Sequence, residues 1–190
     1  GKTFNKKVYI VINEITSSLR PMISRFIGNP EYEEDLFINN EQAKEVVDAN
    51  TLLVIVDVNR PSLLECEELL HYARTIIIFD HHRQTNEAIE NAALSYIEPY
   101  ASSTCEMIAE ILQYIGGNLK LRPMEADALY AGIMIDTNNF LTKTGVRTFE
   151  AAAYLRRNGA DVIKLRKFFR SDFSEFKIKA DAISSAEVYL

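Results

Sequence analysis

Residues that staple or break a chain are scarce here: two cysteines, seven glycines and five prolines in 190 residues. Cys66 and Cys105 lie in helix-like segments without C-x-x-C spacing, so they read as ordinary reduced thiols of a cytosolic protein. Little Gly and Pro, with 47% hydrophobic and 25% charged residues, argues against disorder and for one compact domain with a real core. No apolar run approaches the length of a membrane span. Positive charge is in deficit, 21 Lys and Arg against 27 Asp and Glu. The net charge of −6 argues against broad binding to nucleic acid or to an anionic membrane, but allows a small phosphate ligand in a local site. Internal repeats and low-complexity tracts are missing too. The start at Gly1-Lys2-Thr3 shows neither an initiator Met nor a signal-peptide pattern, and Leu190 falls inside an apolar helical pattern. The expectation is an excised piece of a longer protein.

What is present is alternation. Strands are expected at 6–13, 35–38, 51–57, 75–80 and 92–99, from β-branched, aromatic or purely apolar runs. Helices are expected at 17–26, 40–50 from an Asn cap, and 60–73 entered through Pro61. Strand and helix at this spacing predict βαβ units: an α/β fold with a mainly parallel sheet of at least four strands, flanked by helices. The second half predicts helices at 102–117, with a capping box of Ser103 and Glu106 and a stop at Gly116-Gly117, and at 122–137, 148–160 and 161–169. A last helix over 172–190 opens with a second box, Asp172 and Glu175, and reads as a linker after a domain spanning 1–171.

Ligands of open α/β sheets bind outside the carboxyl ends of the strands. The run 51–57 ends at Asp57, and the run 75–80 ends at Asp80 with His81, His82 and Arg83 behind it. If these strands are neighbours, Asp57 and His81 share a cleft, and a carboxylate with an imidazole suits manganese, iron or zinc. Asp136 closes an apolar helix, where the dipole favours cations; a metal ion facing it would offset that cost. Each residue also has an ordinary reading. Asp57 alone could be a loop residue or an N-cap, and His82 alone a hydrogen-bonded packed residue. His71 reads as a solvated residue of an amphipathic helix, and Asp127 as an acid that complements its helix dipole. Arg83 could solvate a loop, and Ser102, Ser103 and Thr104 could only cap. The joint pattern of Asp57, His81 and Asp136, each ending an apolar element, favours the functional reading.

The blocks "VDVNRPS" (56–62), "FDHHR" (79–83) and "GIMIDTNNF" (132–140), in that order, resemble the DHH phosphoesterase superfamily. "ASSTCEMIAEIL", "ADALYAGIMIDTNNF" and "GVRTFEAAAYLRRNGADV" are similar to its GdpP-type branch, the membrane-anchored cyclic di-AMP phosphodiesterases. The resemblance covers nearly the whole chain. It implies a hydrolase with two manganese ions, acting on a cyclic dinucleotide and giving linear pApA, with a homodimeric parent at the cytoplasmic face of the membrane. It implies Asp57 as the bridging ligand, His81 and Asp136 as further metal ligands, and Asp80 and His82 supporting the site with His82 near the scissile phosphate; Asp80 or a backbone carbonyl would orient His81 from behind. Arg83, Ser102, Ser103 and Thr104 are then candidates for substrate binding, the helix start at Ser102 offering N–H groups to a phosphate.

Two departures from the pattern matter. The superfamily's first motif, a His and two Asp ligands in "H-x-N-P-D-x-D", and its C-terminal substrate-binding DHHA1 domain have no counterpart in the 190 residues. The expectation is therefore one metal ion or none, and an inactive fragment of an active parent. The alternatives are another DHH enzyme, such as a nanoRNase, a RecJ-like exonuclease or a pyrophosphatase, and a non-catalytic α/β interaction module. The acidic balance disfavours a processive exonuclease, which needs a basic groove.

Overall fold

A computed structural model of the chain describes residues 5–17, 19–115, 119–169 and 173–186. Gly116-Gly117 and the expected box of Asp172 and Glu175 lie outside what is described. The strands are β1 (Ile10–Val11), β2 (Phe37–Ile38), β3 (Leu52–Val56), β4 (Thr75–Asp80) and β5 (Leu94–Ile97). All pairings among them are parallel, as the βαβ alternation requires. They form two sheets, β1–β2 and β3–β4–β5, rather than one sheet of four or more strands. The expected strand over 6–13 shrinks to two residues, and β1 pairs with the equally short β2 instead of extending the larger sheet. A shared apolar cluster spans the two: Ile38, Ala43, Cys66 and Leu69, with Val11 and Leu53 packed against it.

Helices α1 (Arg20–Ile23), α2 (Asn40–Val46) and α3 (Leu69–Tyr72) precede Thr104 in the chain, and Met22 of α1 packs against the core of the later, helical half. Asn39 caps α2 through a full capping box with Gln42. The expected helix over 60–73 is instead a 3₁₀ turn, Pro61–Leu63, followed by α3. Leu64 between them is extended, with ψ 144°. This segment feeds two cores, Leu64 and Leu70 packing on the β3–β4 cluster while Cys66 and Leu69 enter the other. One straight amphipathic helix has a single apolar stripe and serves one core.

The helical half comprises α4 (Thr104–Tyr114), α5 (Pro123–Asp136), α6 (Val146–Arg157), α7 (Val162–Phe168) and α8 (Phe173–Ser184). Ser103 caps α4 by accepting from the Glu106 N–H (3.0 Å). The return half of the expected box is absent, since the Glu106 carboxylate accepts from the hydroxyl and N–H of Ser102. Asp161 caps α7, and Gly159, at φ 95°, ends α6 in the left-handed region that favours glycine. The core here is built from Ala109, Ala126, Ile133, Ala151, Leu155 and Leu165. Small residues dominate it, which lets α4, α5 and α6 approach closely. Among the described residues no helix is long and apolar enough to cross a membrane.

Candidate metal centre

Register brings the acids together. Val56 pairs with Phe79, so the residues that follow, Asp57 and Asp80, leave adjacent strands at one sheet edge. The Asp57 N–H still donates to the Phe79 carbonyl (2.9 Å), after which the backbone turns left-handed at φ 66°. Asp tolerates that conformation better than most residues with a side chain. Strain of this kind is characteristic of functional loops. His81 Nε2 lies 3.5 Å from Asp57 Oδ1 and 4.0 Å from Asp136 Oδ2. The His81 side chain is 10% exposed, Asp136 31% and Asp57 53%, so the group is most open to solvent at Asp57. Thr104, at the start of α4, donates from Oγ1 to Asp57 Oδ1 (2.8 Å).

Asp80 is fully buried on the core face of β4. In the structure its contacts are to His82. Its Oδ1 accepts from the His82 backbone N–H (3.1 Å) and lies 2.7 Å from His82 Nδ1. A carboxylate reaching two residues ahead is a tight local loop, and it excludes the intervening His81. The pairing places the His82 proton on Nδ1 and leaves Nε2 as the free ring nitrogen. Asn59 adds a second hold, its Nδ2 donating to the His82 carbonyl (3.2 Å). Asn59 is buried and was not singled out by sequence, although it sits in the "VDVNRPS" block; position alone carried the signal.

One ligand atom from each of Asp57, His81 and His82 lies within 4.8 Å of the others. The set reads Asp57, His81 and His82 at that spacing, with Asp136 facing His81 from α5. Carboxylate and imidazole donors fit a divalent transition metal. Among the described residues the second oxygen of buried Asp80 has no hydrogen-bond partner, so a carboxylate backing a histidine retains acceptor capacity, as outer-shell carboxylates of metal sites do. Charge is poorly balanced without a cation. Burial, and then the Asp57 charge, pushes the Asp136 carboxyl above its ordinary range, while His81, His82 and Lys143 oppose the shift. Burial with the charges of Asp57 and Asp136 pushes the Cys105 thiol up to about 12.

The other candidates are placed as follows. Ser102 and Ser103 are buried and engaged internally, with Glu106 and as the α4 cap respectively. Thr104 is buried and bonded to Asp57. Arg83 is exposed on the loop after β4, and His71 is exposed on α3. Asp127 does more than complement a dipole. It is buried, pairs with Arg25 Nη2 (2.6 Å) and accepts from the Asp161 N–H (2.7 Å), tying α5 to the α1 region and α7.

With this geometry stand the comparisons. Residues 7–133 match the model of the DHH family, N-terminal domain. The chain is 43% identical over 190 residues to the cyclic-di-AMP phosphodiesterase GdpP of Bacillus subtilis, an alignment covering 97% of the chain and 28% of the relative. It is 36% identical over 188 residues to the cyclic-di-AMP phosphodiesterase PdeA of Listeria monocytogenes, again covering 97% and 28%. The chain thus spans little more than a quarter of the length of these curated relatives. A solved exopolyphosphatase-related protein from Bacteroides fragilis superposes with a TM-score of 0.81 at 18% identity, over 99% of this chain and 55% of that one. That likeness establishes the fold. The matched residues carry both the β3 and β4 strand ends and all of α4, and the chain belongs to the DHH family through its N-terminal domain.

Proposed function

We propose that this chain is the metal-holding part of a phosphodiesterase that hydrolyses cyclic di-AMP to linear pApA. The observation that carries the reading is the convergence of Asp57, His81 and Asp136 at one sheet edge, in a chain 43% identical to a cyclic-di-AMP phosphodiesterase. Asp57, His81 and Asp136 hold the metal, with Asp57 as the shared carboxylate in the longer protein. Manganese is the proposed ion, two in the longer protein and one or none in these 190 residues. Such ions supply activation of water and neutralisation of charge on a phosphodiester.

The chain's own residues do the rest. Thr104 orients the Asp57 carboxylate through its 2.8 Å hydrogen bond. Asp80 and Asn59 fix His82, and as the imidazolium its Nε2–H would donate to the scissile phosphate or its leaving oxygen and stabilise the charge there. Arg83, exposed beside them, is the proposed contact for a phosphate outside the metal centre. Ser102 and Ser103 contribute by holding the start of α4 rather than by touching substrate. The longer protein is proposed to be membrane-anchored by segments outside these residues and to act as a homodimer.

The test uses the protein extended to the length of its relatives. With manganese in excess, Asp57→Asn is expected to abolish cyclic di-AMP hydrolysis, because the shape is kept while the charge that holds cations is removed. His82→Ala is expected to cost roughly 10²–10³ in rate, the scale of one lost transition-state donor. Near-wild-type turnover by Asp57→Asn removes Asp57 from the metal centre and the mechanism with it.

A further inference from the structure

Two of the carboxylates at the centre owe their positions to one helix crossing. At the start of α4, Thr104 is bonded to Asp57. The next residue, Cys105, packs against Gly132 in the middle of α5, so closely that a Cβ on Gly132 would clash with Sγ and lie 3.1 Å from the cysteine Cβ. Gly132 and Asp136 are four residues apart in α5, hence on the same face one turn from each other. The face that meets Cys105 therefore ends in the carboxylate that looks toward His81.

Glycine inside a helix costs about 1 kcal/mol relative to alanine. Gly132 does not repay this through backbone freedom, since among the described residues the glycines at positive φ are Gly28 and Gly159. A Cβ on Gly145 or Gly28 would meet open space, whereas at Gly132 it meets a thiol beside the site. What requires glycine here is close approach.

We propose that the seating of Cys105 in the notch of Gly132 is the spacer that sets the gap between Asp57 and Asp136, and with it the affinity for a divalent cation. Gly132 and Cys105 are positioning residues, and neither touches the metal. The inference rests on the metal reading above. A methyl group at position 132 pushes α5 away from α4, carrying Asp136 from His81 while Thr104 keeps Asp57 in place. Removing Sγ as well takes away the severe overlap and leaves a 3.1 Å contact between the two Cβ atoms, which a shift of about a few tenths of an ångström relieves, so the double variant regains most of the spacing.

The experiment compares, in the protein extended to the length of its relatives, the wild type with Gly132→Ala, Cys105→Ala and the double variant. Manganese affinity is measured by titration calorimetry, and the metal-free Tm by circular dichroism. Gly132→Ala is expected to weaken manganese binding by about 10- to 100-fold, the range seen when outer partners of metal ligands are lost. It is also expected to lower the metal-free Tm, and the double variant to recover most of both. Unchanged affinity in Gly132→Ala overturns the spacer, as does a double variant that regains Tm without regaining affinity. Should Gly132→Ala fail to fold, a double variant that folds and binds manganese like the wild type supports the spacer, and one that does not overturns it. An extended wild-type protein that takes up no manganese overturns the metal reading and this inference together. The metal-free melts then show separately whether the notch packs as described.

Discussion

Asp136 ends α5, where the helix dipole favours a cation, and burial and Asp57 raise the pKa of its carboxyl. A carboxyl whose pKa is raised by folding contributes its stability below the ordinary carboxylate range, and that contribution is lost as pH rises through the raised value. At neutral pH the ionised group therefore burdens the metal-free fold. Asp136→Asn is expected to raise the metal-free Tm at pH 7, with the gain shrinking as pH falls toward the ordinary carboxylate range. Manganese should stabilise the wild type and not the variant, since ligand binding to the folded state alone adds stability. Melts across pH, with and without metal, check this; a lower Tm for the variant at pH 7 without metal contradicts it. Asp127 behaves oppositely, because its charge is matched by Arg25. Asp127→Ala leaves that guanidinium uncompensated and the Asp161 N–H unbonded, and is expected to cost about 3–5 kcal/mol in chemical denaturation. A loss under 1 kcal/mol would show the pair to be effectively solvated. This role was not legible in the sequence, because the partners of Asp127 lie 102 and 34 residues away along the chain. The ends of two apolar runs were legible, so Asp57 and His81 could be named. The partner of Asp80 could not, because hydrophobic patterning is silent on which of two adjacent histidines a carboxylate turns toward.

Among the elements, β4 matches its expected bounds residue for residue, because an uninterrupted apolar run of strand length leaves few competing conformations. The segment 60–73 does not, because a helical period in sequence cannot show that its leucines are shared between two cores. The α4 cap was legible in half. Ser103 accepts the Glu106 N–H as expected, but the burial of Ser102 redirects the Glu106 carboxylate. Ser103→Ala is expected to cost about 1–2 kcal/mol, at the upper part of the range for lost N-caps because the orphaned N–H is buried. The same change should loosen the Thr104 hold on Asp57. Denaturant titration gives the first number and manganese affinity the second. A variant as stable as the wild type shows that another group satisfies the Glu106 N–H.

At the scale of the whole molecule, the βαβ alternation implied parallel pairing, but nothing in the sequence divided five strands into a pair and a triplet. That division follows from the brevity of β1 and β2, and it leaves β3 as an outer strand of the larger sheet. Leu52, Val54 and Val56 alternate along it, each about half exposed (51%, 47% and 50%), while Leu53 and Ile55 turn inward. Beyond its ladder to β4, β3 pairs with no other strand among the described residues. For anyone preparing these 190 residues alone, the consequence is colloidal. A straight apolar strand with open hydrogen-bonding groups is a template for a second copy of itself. Concentrated solutions are expected to form oligomers that scatter light increasingly with concentration, and Val54→Lys is expected to keep the chain monomeric, because two lysines cannot be brought face to face across a new ladder without repulsion. Static light scattering over a concentration series decides between a chain that stays monomeric unaided and one whose shelf life is set by a single five-residue strand.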